Sequence, residues 1–234
     1  MTAAARPLSP QPRARPGALV RAAVAIGAST GGPQALLTVL AGLPSDLAAY
    51  LFVVQHIHPK FTPMLARRLG EHSPLAVVEG RDGEVPRLGT VYLAPGGSHL
   101  SVERGRAGPV VRLLDGPPRH GVRPCADILF TGLAATFGPR AVAVVLTGMG
   151  SDGLEGCRAV RARGGVVLAE AAETCAVFGM PRALVEAGVA DQVVPLGAMA
   201  AVIAAAVGQL ALPGALRRRR IARRLEALGR SIPG

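Results

Sequence analysis

Short apolar runs alternate with helix-type patterns along most of the chain, and this alternation restricts the fold more than any other feature. Strands that are apolar on both faces must be covered on both faces, which is typical of a parallel sheet built from strand–helix–strand units. The strand-like runs lie at 22–27, 50–55, 75–80, 141–148, 166–170 and 192–196. Helical patterns lie at 32–40, 63–69 and 125–138 and begin again near Leu154, Pro181 and Ala198. The sequence therefore predicts an α/β fold with a doubly wound, mostly parallel sheet flanked by helices.

The segment 90–116 differs from the rest. Its short runs TVYLAPGG, HLSVE and PVVRLLDG are separated by Gly, Ser and Pro, which favours hairpins over strand–helix units. We therefore expect a small antiparallel hairpin element within one domain at 22–212.

The basic charge is concentrated at the two ends of the chain. The net charge is +11, but residues 1–22 carry four arginines and no acid, and residues 213–234 carry seven arginines and one glutamate. The core is left almost neutral, without the basic stripe of a nucleic-acid-binding domain. We expect a disordered basic tail at 1–21, an Arg-rich helix or tail at 213–234, and no stable nucleic-acid binding.

The sequence has no pattern of a secreted, zinc-binding or membrane protein. Its three cysteines, Cys125, Cys157 and Cys175, lack C-x-x-C spacing. The N-terminus has no uninterrupted apolar segment of a signal peptide. The longest apolar stretch, 199–212, is shorter than the roughly 20 residues that cross a bilayer. We predict a cytoplasmic protein with reduced thiols, no metal and no membrane insertion.

The first predicted strand ends in the stretch AIGASTGGPQ (25–34). A dinucleotide-binding loop would need glycine at the position of Ser29, and a P-loop would need a lysine that this stretch lacks. The pattern G-x-S-x-G fits, and between a strand and a helix it is typical of a turn that exposes a nucleophilic serine. The alternative is that Ser29 merely caps the following helix.

Two further polar residues follow predicted strands. His56 follows the second strand and Asp152 follows the run AVAVVLT, and the carboxyl ends of parallel strands meet at one edge of the sheet. With Ser29 they are the types that a serine hydrolase needs, since imidazole takes the hydroxyl proton and a carboxylate orients the imidazole. Two alternatives stay open: Asp152 caps the helix near Leu154, or another histidine takes the place of His56. The other histidines are His58, His72, His99 and His120.

Taken together, the motifs resemble the catalytic domain of CheB-type protein-glutamate methylesterases of bacterial chemotaxis. The matching segments follow one another in the order of that family over roughly 22–208. They are IGASTGGP (26–33), VVQHIHPKFT (53–62), VYLAPGGSHL (91–100), RPCADILF (123–130), VVLTGMGSDGLEG (144–156) and VFGMPRALVEAG (177–188).

The resemblance implies a catalytic triad of Ser29, His56 and Asp152. It also implies an oxyanion hole with the Met149 N–H as one donor and Thr30 as a neighbouring candidate. The implied reaction is hydrolysis of glutamyl methyl esters on the cytoplasmic helices of chemoreceptors, without a cofactor and with possible deamidation of receptor glutamines. The oligomeric state is not implied, and a monomer is compatible with the sequence.

The chain departs from the family pattern in three ways. Only about 20 residues precede the first strand, where full-length members carry a receiver domain, so we expect either a stand-alone homologue or a fragment. Cys125 stands where many members have serine, and Ser151 where many have asparagine. The Arg-rich C-terminal segment lies outside the pattern.

Two other functions are compatible with the residues. The same fold and triad could act on another acyl or methyl-ester substrate in a sensory system unrelated to motility. Alternatively, the protein is an inert binding module whose basic tails dock on nucleic acid or an anionic membrane surface.

Overall fold

A computed structural model describes residues 21–210, which contain a seven-stranded parallel sheet and a separate two-stranded sheet. The strands of the large sheet lie in the order β3-β4-β2-β1-β7-β8-β9. They are β1 (Ala22–Ala28), β2 (Ala49–Gln55), β3 (Ala76–Glu79), β4 (Thr90–Leu93), β7 (Ala141–Val145), β8 (Val166–Glu170) and β9 (Gln192–Val194). The antiparallel pair is β5 (His99–Arg104) and β6 (Pro109–Leu114).

Six helices cover the two faces of the large sheet. They are α1 (Gly32–Gly42), α2 (Thr62–His72), α3 (Ala126–Phe137), α4 (Leu154–Ala162), α5 (Met180–Glu186) and α6 (Leu196–Leu210). The side chains of β1 alternate between two apolar cores, one shared with α1, α2 and α6 and the other with α3, α4 and α5. Burial on both faces explains why β1 and β7 are continuously apolar. The predicted doubly wound fold is confirmed.

One part of the sequence prediction was wrong. The run at 90–93 belongs to the large sheet as β4, where it pairs in parallel with β2 and β3. The antiparallel excursion is therefore limited to β5 and β6. A run of four residues shows how apolar a strand is but not which neighbours it pairs with, because long-range packing decides the pairing.

The strand order places β1 between β2 and β7. The chain runs from β1 outward to one side of the sheet and returns to the other side of β1 through β7. The reversal makes the carboxyl end of β1 a topological switch point, where open α/β sheets bind their ligands. Ser29 immediately follows β1 at this point.

The tails predicted at 1–21 and 213–234 lie, Arg21 apart, outside the described residues. Within 21–210, no helix has the length and apolar character needed to span a bilayer.

Two helical glycines give opposite stability predictions. A Cβ on Gly132 of α3 would lie 3.0 Å from both the N and the O of Val102 in β5, so we expect Gly132→Ala to lower the free energy of unfolding by about 1–3 kcal/mol through overpacking. A Cβ on Gly208 of α6 would meet no atom within 4 Å. Gly208→Ala should therefore raise it by about 0.5–1 kcal/mol, since alanine favours the helix.

Urea unfolding of the two variants beside the wild type measures both changes. Equal effects of the two substitutions would contradict the close approach of α3 to β5.

Candidate active site

The first two predicted site residues lie side by side at the carboxyl edge of the sheet. Ala28 and Gln55 are paired at the ends of β1 and β2, and the His56 N–H donates to the Ala28 carbonyl at 3.0 Å. Neighbouring strands are about 4.8 Å apart, so Ser29 and His56 continue two strands that are in register. Sheet pairing thus places Ser29 and His56 side by side at the carboxyl edge of the sheet.

The turn after β1 is fixed by close contacts. Gly31 has a φ of 80°, and a Cβ there would lie 2.6 Å from the Ala176 Cβ, so both conformation and space favour glycine. Gln55 is almost fully buried, and its side-chain amide donates to the Ser29 carbonyl at 2.8 Å and to the His56 carbonyl at 3.0 Å. One amide therefore joins the two turns.

Ser29 does not act as the helix cap that was its alternative role. The N-cap of α1 is Gly31, and this helix has no side-chain capping hydrogen bond. The Ser29 N–H donates to the Thr147 carbonyl at 3.0 Å, whereas its hydroxyl makes no hydrogen bond within residues 21–210. Hydrogen bonds from a nucleophile to its base commonly tighten only in the substrate complex.

His56 and Asp152 form a direct pair. The His56 Nε2 lies 2.7 Å from the Asp152 Oδ2, and their side chains are 11% and 3% exposed. Because an ionised carboxylate can only accept, the Nε2 carries the proton in this pair. In the neutral imidazole the Nδ1 then has the free lone pair.

Asp152 lies at the N-terminus of α3. Its Oδ2 accepts from the Ala126 N–H at 2.7 Å, and its Oδ1 accepts from the Asp127 N–H at 3.0 Å and from the Cys125 thiol at 2.9 Å. Burial raises the pKa of the Asp152 carboxyl, but the hydrogen bonds from His56, Cys125 and the two backbone N–H groups outweigh it and lower the pKa to about 2. The carboxylate is therefore charged at every physiological pH.

The expected alternative for Asp152 was a cap on α4, and it caps α3 instead. The N-cap of α4 is Gly153, with a φ of 97° and no side-chain capping bond. Asp127 takes the complementary role, since its Oδ1 accepts from the Gly156 N–H in the first turn of α4 at 2.7 Å. Asp152, just before α4, thus accepts from two backbone donors in the first turn of α3, and Asp127 of α3 accepts from one in the first turn of α4.

Four side chains around these caps have the chemical types of metal ligands. Ligand atoms of His120, Cys125, Asp127 and Asp152 lie within 4.8 Å of one another. However, backbone N–H groups from two helix N-termini already point at both carboxylates, and such donors favour an anion over a cation. Burial, together with the hydrogen bond and charge of Asp152, also raises the pKa of the Cys125 thiol to about 12. We interpret the cluster as a pair of helix caps.

The other histidines contact different groups. His58 accepts from the Lys60 N–H at the start of a short 3-10 turn, and His72 lies 2.9 Å from the Arg68 carbonyl. His99 is buried against the Pro117 carbonyl, and the fifth histidine, His120, pairs with Asp127 at 2.8 Å. Among the five, His56 contacts Asp152.

The predicted oxyanion donors are backbone groups close to Ser29. A Cβ on Gly148 would lie 2.7 Å from the Ser29 Cβ, so the peptide that carries the Met149 N–H adjoins the serine. The N–H groups of Met149 and Thr30 donate to no acceptor in the described part of the chain. Met149 is 77% exposed, so this peptide lies at the surface of the protein.

Thr147 joins the turns after β1 and β7, a role that the sequence analysis missed. Its carbonyl holds the Ser29 N–H, and its hydroxyl donates to the Thr30 carbonyl at 2.9 Å. The Thr147 N–H donates to the Oε2 of Glu170 at 2.8 Å, and Glu170 is fully buried at the end of β8. The available signal was a polar residue at the end of one apolar run (Glu170) and just beyond the end of another (Thr147).

The pKa of Asp152 gives a prediction of pH-dependent stability. The folded-state pKa lies below the ordinary value of 3.8, so the carboxylate stabilises the fold above about pH 4 and loses this effect as the pH falls through 2. Asp152→Asn should lower the free energy of unfolding by about 2 kcal/mol at pH 7, and the difference from wild type should shrink between pH 4 and pH 2.

Urea unfolding across this pH range measures the difference. Asp46→Asn, on an exposed aspartate, is the control and should change stability little at any pH. A difference for Asp152→Asn that stays constant down to pH 2 would contradict the hydrogen-bonded carboxylate.

Comparison with known proteins identifies the fold and the family. A family model described as CheB methylesterase matches residues 24–203. The crystal structure of the CheB methylesterase catalytic domain of Thermotoga maritima superposes with a TM-score of 0.78 at 40% sequence identity, covering 79% of this chain and 98% of that domain.

Curated relatives are similar over the same region. A protein-glutamate methylesterase/protein-glutamine glutaminase of Geobacillus kaustophilus is 50% identical over 190 residues, which cover 81% of this chain and 54% of that protein. The protein of the same name from Pyrococcus horikoshii is 44% identical over 184 residues, covering 79% of this chain and 50% of that protein. The chain thus spans about half the length of these relatives. It belongs to the CheB methylesterase family.

Proposed function

We propose that the protein is a serine hydrolase that removes methyl esters from glutamyl side chains of chemoreceptors and deamidates receptor glutamines. The observation that carries the proposal is the His56–Asp152 pair, with a 2.7 Å contact, beside a serine on the adjoining strand end. The names of the relatives support the substrate, since they combine glutamate methylesterase with glutaminase.

Ser29, His56 and Asp152 act as the catalytic triad in this proposal. Asp152 accepts a hydrogen bond from the Nε2–H of His56, which leaves the Nδ1 lone pair to take the proton of the Ser29 hydroxyl. Asp152 keeps the imidazole in this tautomer and stabilises the imidazolium that forms. Its four hydrogen-bond donors keep the carboxylate itself unprotonated.

The reaction proceeds in two steps through an acyl-enzyme. The Ser29 oxygen attacks the ester carbonyl, and the N–H groups of Met149 and Thr30 stabilise the oxyanion. The C–O bond to the methoxy group breaks, and methanol leaves with the proton held by His56. Water then gives a proton to His56 as its oxygen attacks the glutamyl–serine ester. The C–O bond to Ser29 breaks, His56 returns the proton to the Ser29 oxygen, and the receptor carboxyl group leaves and ionises. For glutamine, ammonia takes the place of methanol.

The substrate and location follow from the same proposal. The partners are the cytoplasmic helices of methylated chemoreceptors, and the enzyme acts in the cytoplasm without a cofactor. Met149, next to the proposed oxyanion donor, is exposed, so this part of the site can be reached by a large protein substrate. An enzyme for another acyl substrate would use the same triad, so activity on receptors is the deciding measurement.

Replacing the proposed nucleophile provides the main test. Ser29→Ala should lower methanol release from methylated receptor by about 10³-fold or more, since the acyl-enzyme cannot form. The urea unfolding midpoint should stay near that of the wild type, because the hydroxyl makes no hydrogen bond within residues 21–210.

Labelling of the wild type by a fluorophosphonate separates the alternatives. A labelled Ser29 with no methanol release would indicate another acyl substrate, and an unlabelled Ser29 would indicate an inert module. Near-normal turnover by Ser29→Ala would contradict the triad.

Cys125 should be replaceable by another donor but not by an apolar residue. Its thiol donates to the Asp152 Oδ1 at 2.9 Å, and a hydroxyl can make the same bond. We expect Cys125→Ser to keep kcat within about 2-fold and Cys125→Ala to lower it by about 3- to 10-fold, since a thiol is a weak donor and an ordinary hydrogen bond contributes about 0.5–1.5 kcal/mol. The two kcat values, from methanol release, test this, and equal values would contradict a role for the donor.

A further inference from the structure

Residues 177–180, here called the strap, lie against the turn that carries Met149. The Gly148 N–H donates to the Val177 carbonyl at 3.0 Å, and the Val177 N–H donates to the Thr147 hydroxyl at 2.9 Å. The N–H groups of Gly179 and Met180 both donate to the Gly148 carbonyl, at 3.0 and 2.8 Å. The Thr147 hydroxyl also lies 3.3 Å from the Val177 carbonyl, so five hydrogen bonds join the strap to residues 147 and 148.

The two donors on the Gly148 carbonyl fix the direction of the next N–H. In a trans peptide the C=O and the N–H point to opposite sides of the chain, and the cis peptide recorded within residues 21–210 is that of Arg123 and Pro124. The Gly148 carbonyl points at the strap, so the Met149 N–H points away from it. Gly148, whose carbonyl belongs to this peptide, lies against Ser29, and the Met149 N–H has no acceptor among the described residues.

The strap reaches this position because residue 179 has no side chain. A Cβ on Gly179 would lie 2.6 Å from the Gly148 carbonyl oxygen, 3.0 Å from the Gly150 N and 3.1 Å from the Met149 Cα. All three atoms belong to the backbone and cannot rotate aside. The φ of Gly179 is −106°, which other residues adopt readily, so the requirement is for space and not for an unusual conformation.

We propose that Gly179 is a positioning residue for the oxyanion hole. It lets the strap hold the Gly148–Met149 peptide with its N–H aimed at the oxygen of the tetrahedral intermediate. The inference rests on the proposed function of Ser29 and assigns a role to the segment 177–188, to which the triad gives none. Gly179 touches neither the substrate nor the nucleophile and acts through the peptide alone.

This role has a kinetic signature. The oxyanion forms in the transition states of acylation and deacylation but not in the bound ester, so a tilted donor slows the chemistry without weakening binding. We expect Gly179→Ala to lower kcat by about 10- to 100-fold, part of what removal of one oxyanion donor costs, and to leave KM within about 3-fold.

Gly165→Ala is the matched control. A Cβ on Gly165 would lie 2.6 Å from the Val160 Cγ1 and 2.7 Å from the Ala141 carbonyl oxygen, an equally tight place. Gly165 directly precedes β8, at the amino edge of the sheet and thus opposite the site. It should lose as much stability as Gly179→Ala in urea unfolding while keeping kcat. Wild-type kcat in Gly179→Ala, or an equal loss in Gly165→Ala, would overturn the proposal.

Phosphonylation of Ser29 tests the positioning separately from the receptor substrate. This reaction also places negative charge on an oxygen beside Ser29, so Gly179→Ala should slow labelling by a fluorophosphonate while Gly165→Ala does not. If the wild type is labelled but releases no methanol from receptors, the proposed substrate fails, and slower labelling of Gly179→Ala still supports the positioning role. If the wild type is active and both variants react like it, the positioning role alone fails.

A spectroscopic measurement follows the hydrogen bond itself. In protein labelled with ¹⁵N-methionine, the Met149 amide proton should move downfield when Ser29 is phosphonylated, in the wild type and in Gly165→Ala but not in Gly179→Ala. Met149→Leu assigns the signal. No shift in the wild type would overturn the aimed N–H.

A second change is available if Gly179→Ala does not fold. Replacement of the Met180 amide by an ester removes one donor to the Gly148 carbonyl without adding an atom to the strap. It should lower kcat at unchanged KM, and an unchanged kcat would overturn the role of the strap.

Discussion

The site depends on a buried carboxylate at the start of a helix. Asp152 accepts hydrogen bonds from His56, from the Cys125 thiol and from two backbone N–H groups of α3. These bonds make the ionised form more stable than the protonated one in spite of burial, because they are stronger to a charged carboxylate than to a neutral carboxyl group. The charge that orients His56 is thus held by a helix packed against the sheet. Asp127 links α3 to α4 by the complementary cap, so the two helices and the carboxylate are positioned together.

Neighbouring strand ends explain how much of the site the sequence predicts. Apolar runs that end in polar residues place Ser29 and His56 beyond β1 and β2, and parallel pairing then makes them neighbours. The helix that Asp152 caps could not be found in this way, because the N–H of Ala126, which donates to Asp152, lies 26 residues earlier in the chain. Local capping patterns pointed to α4, the next helix. Only packing of α3 against α4 brings the right N-terminus to the carboxylate.

Pairing of the fourth strand and the network behind the site were hidden for a similar reason. A run such as TVYL indicates a strand, but its parallel place beside β2 depends on contacts far along the chain. Glu170 ends β8 and Thr147 follows β7, and a polar residue at such a place is unusual but does not show what it binds. Their hydrogen bond joins the turn after β7 to the end of β8, and the Thr147 carbonyl then accepts from the Ser29 N–H. Sequence patterns therefore predict which strand ends carry chemistry better than they predict the connections among them.

Two sets of contacts, different in physical kind, lie on the two sides of Ser29. On one side, a full negative charge holds His56 through an ion-pair geometry that the helix N-terminus stabilises. On the other side, the N–H groups of Gly179 and Met180 donate to the Gly148 carbonyl. These hydrogen bonds between neutral groups depend on a close approach of the two backbones. A carboxylate tolerates small shifts because its attraction falls slowly with distance, whereas an aimed N–H loses strength steeply with angle. The contacts of the second kind therefore need the tighter packing, which is the physical reason for the role proposed for Gly179.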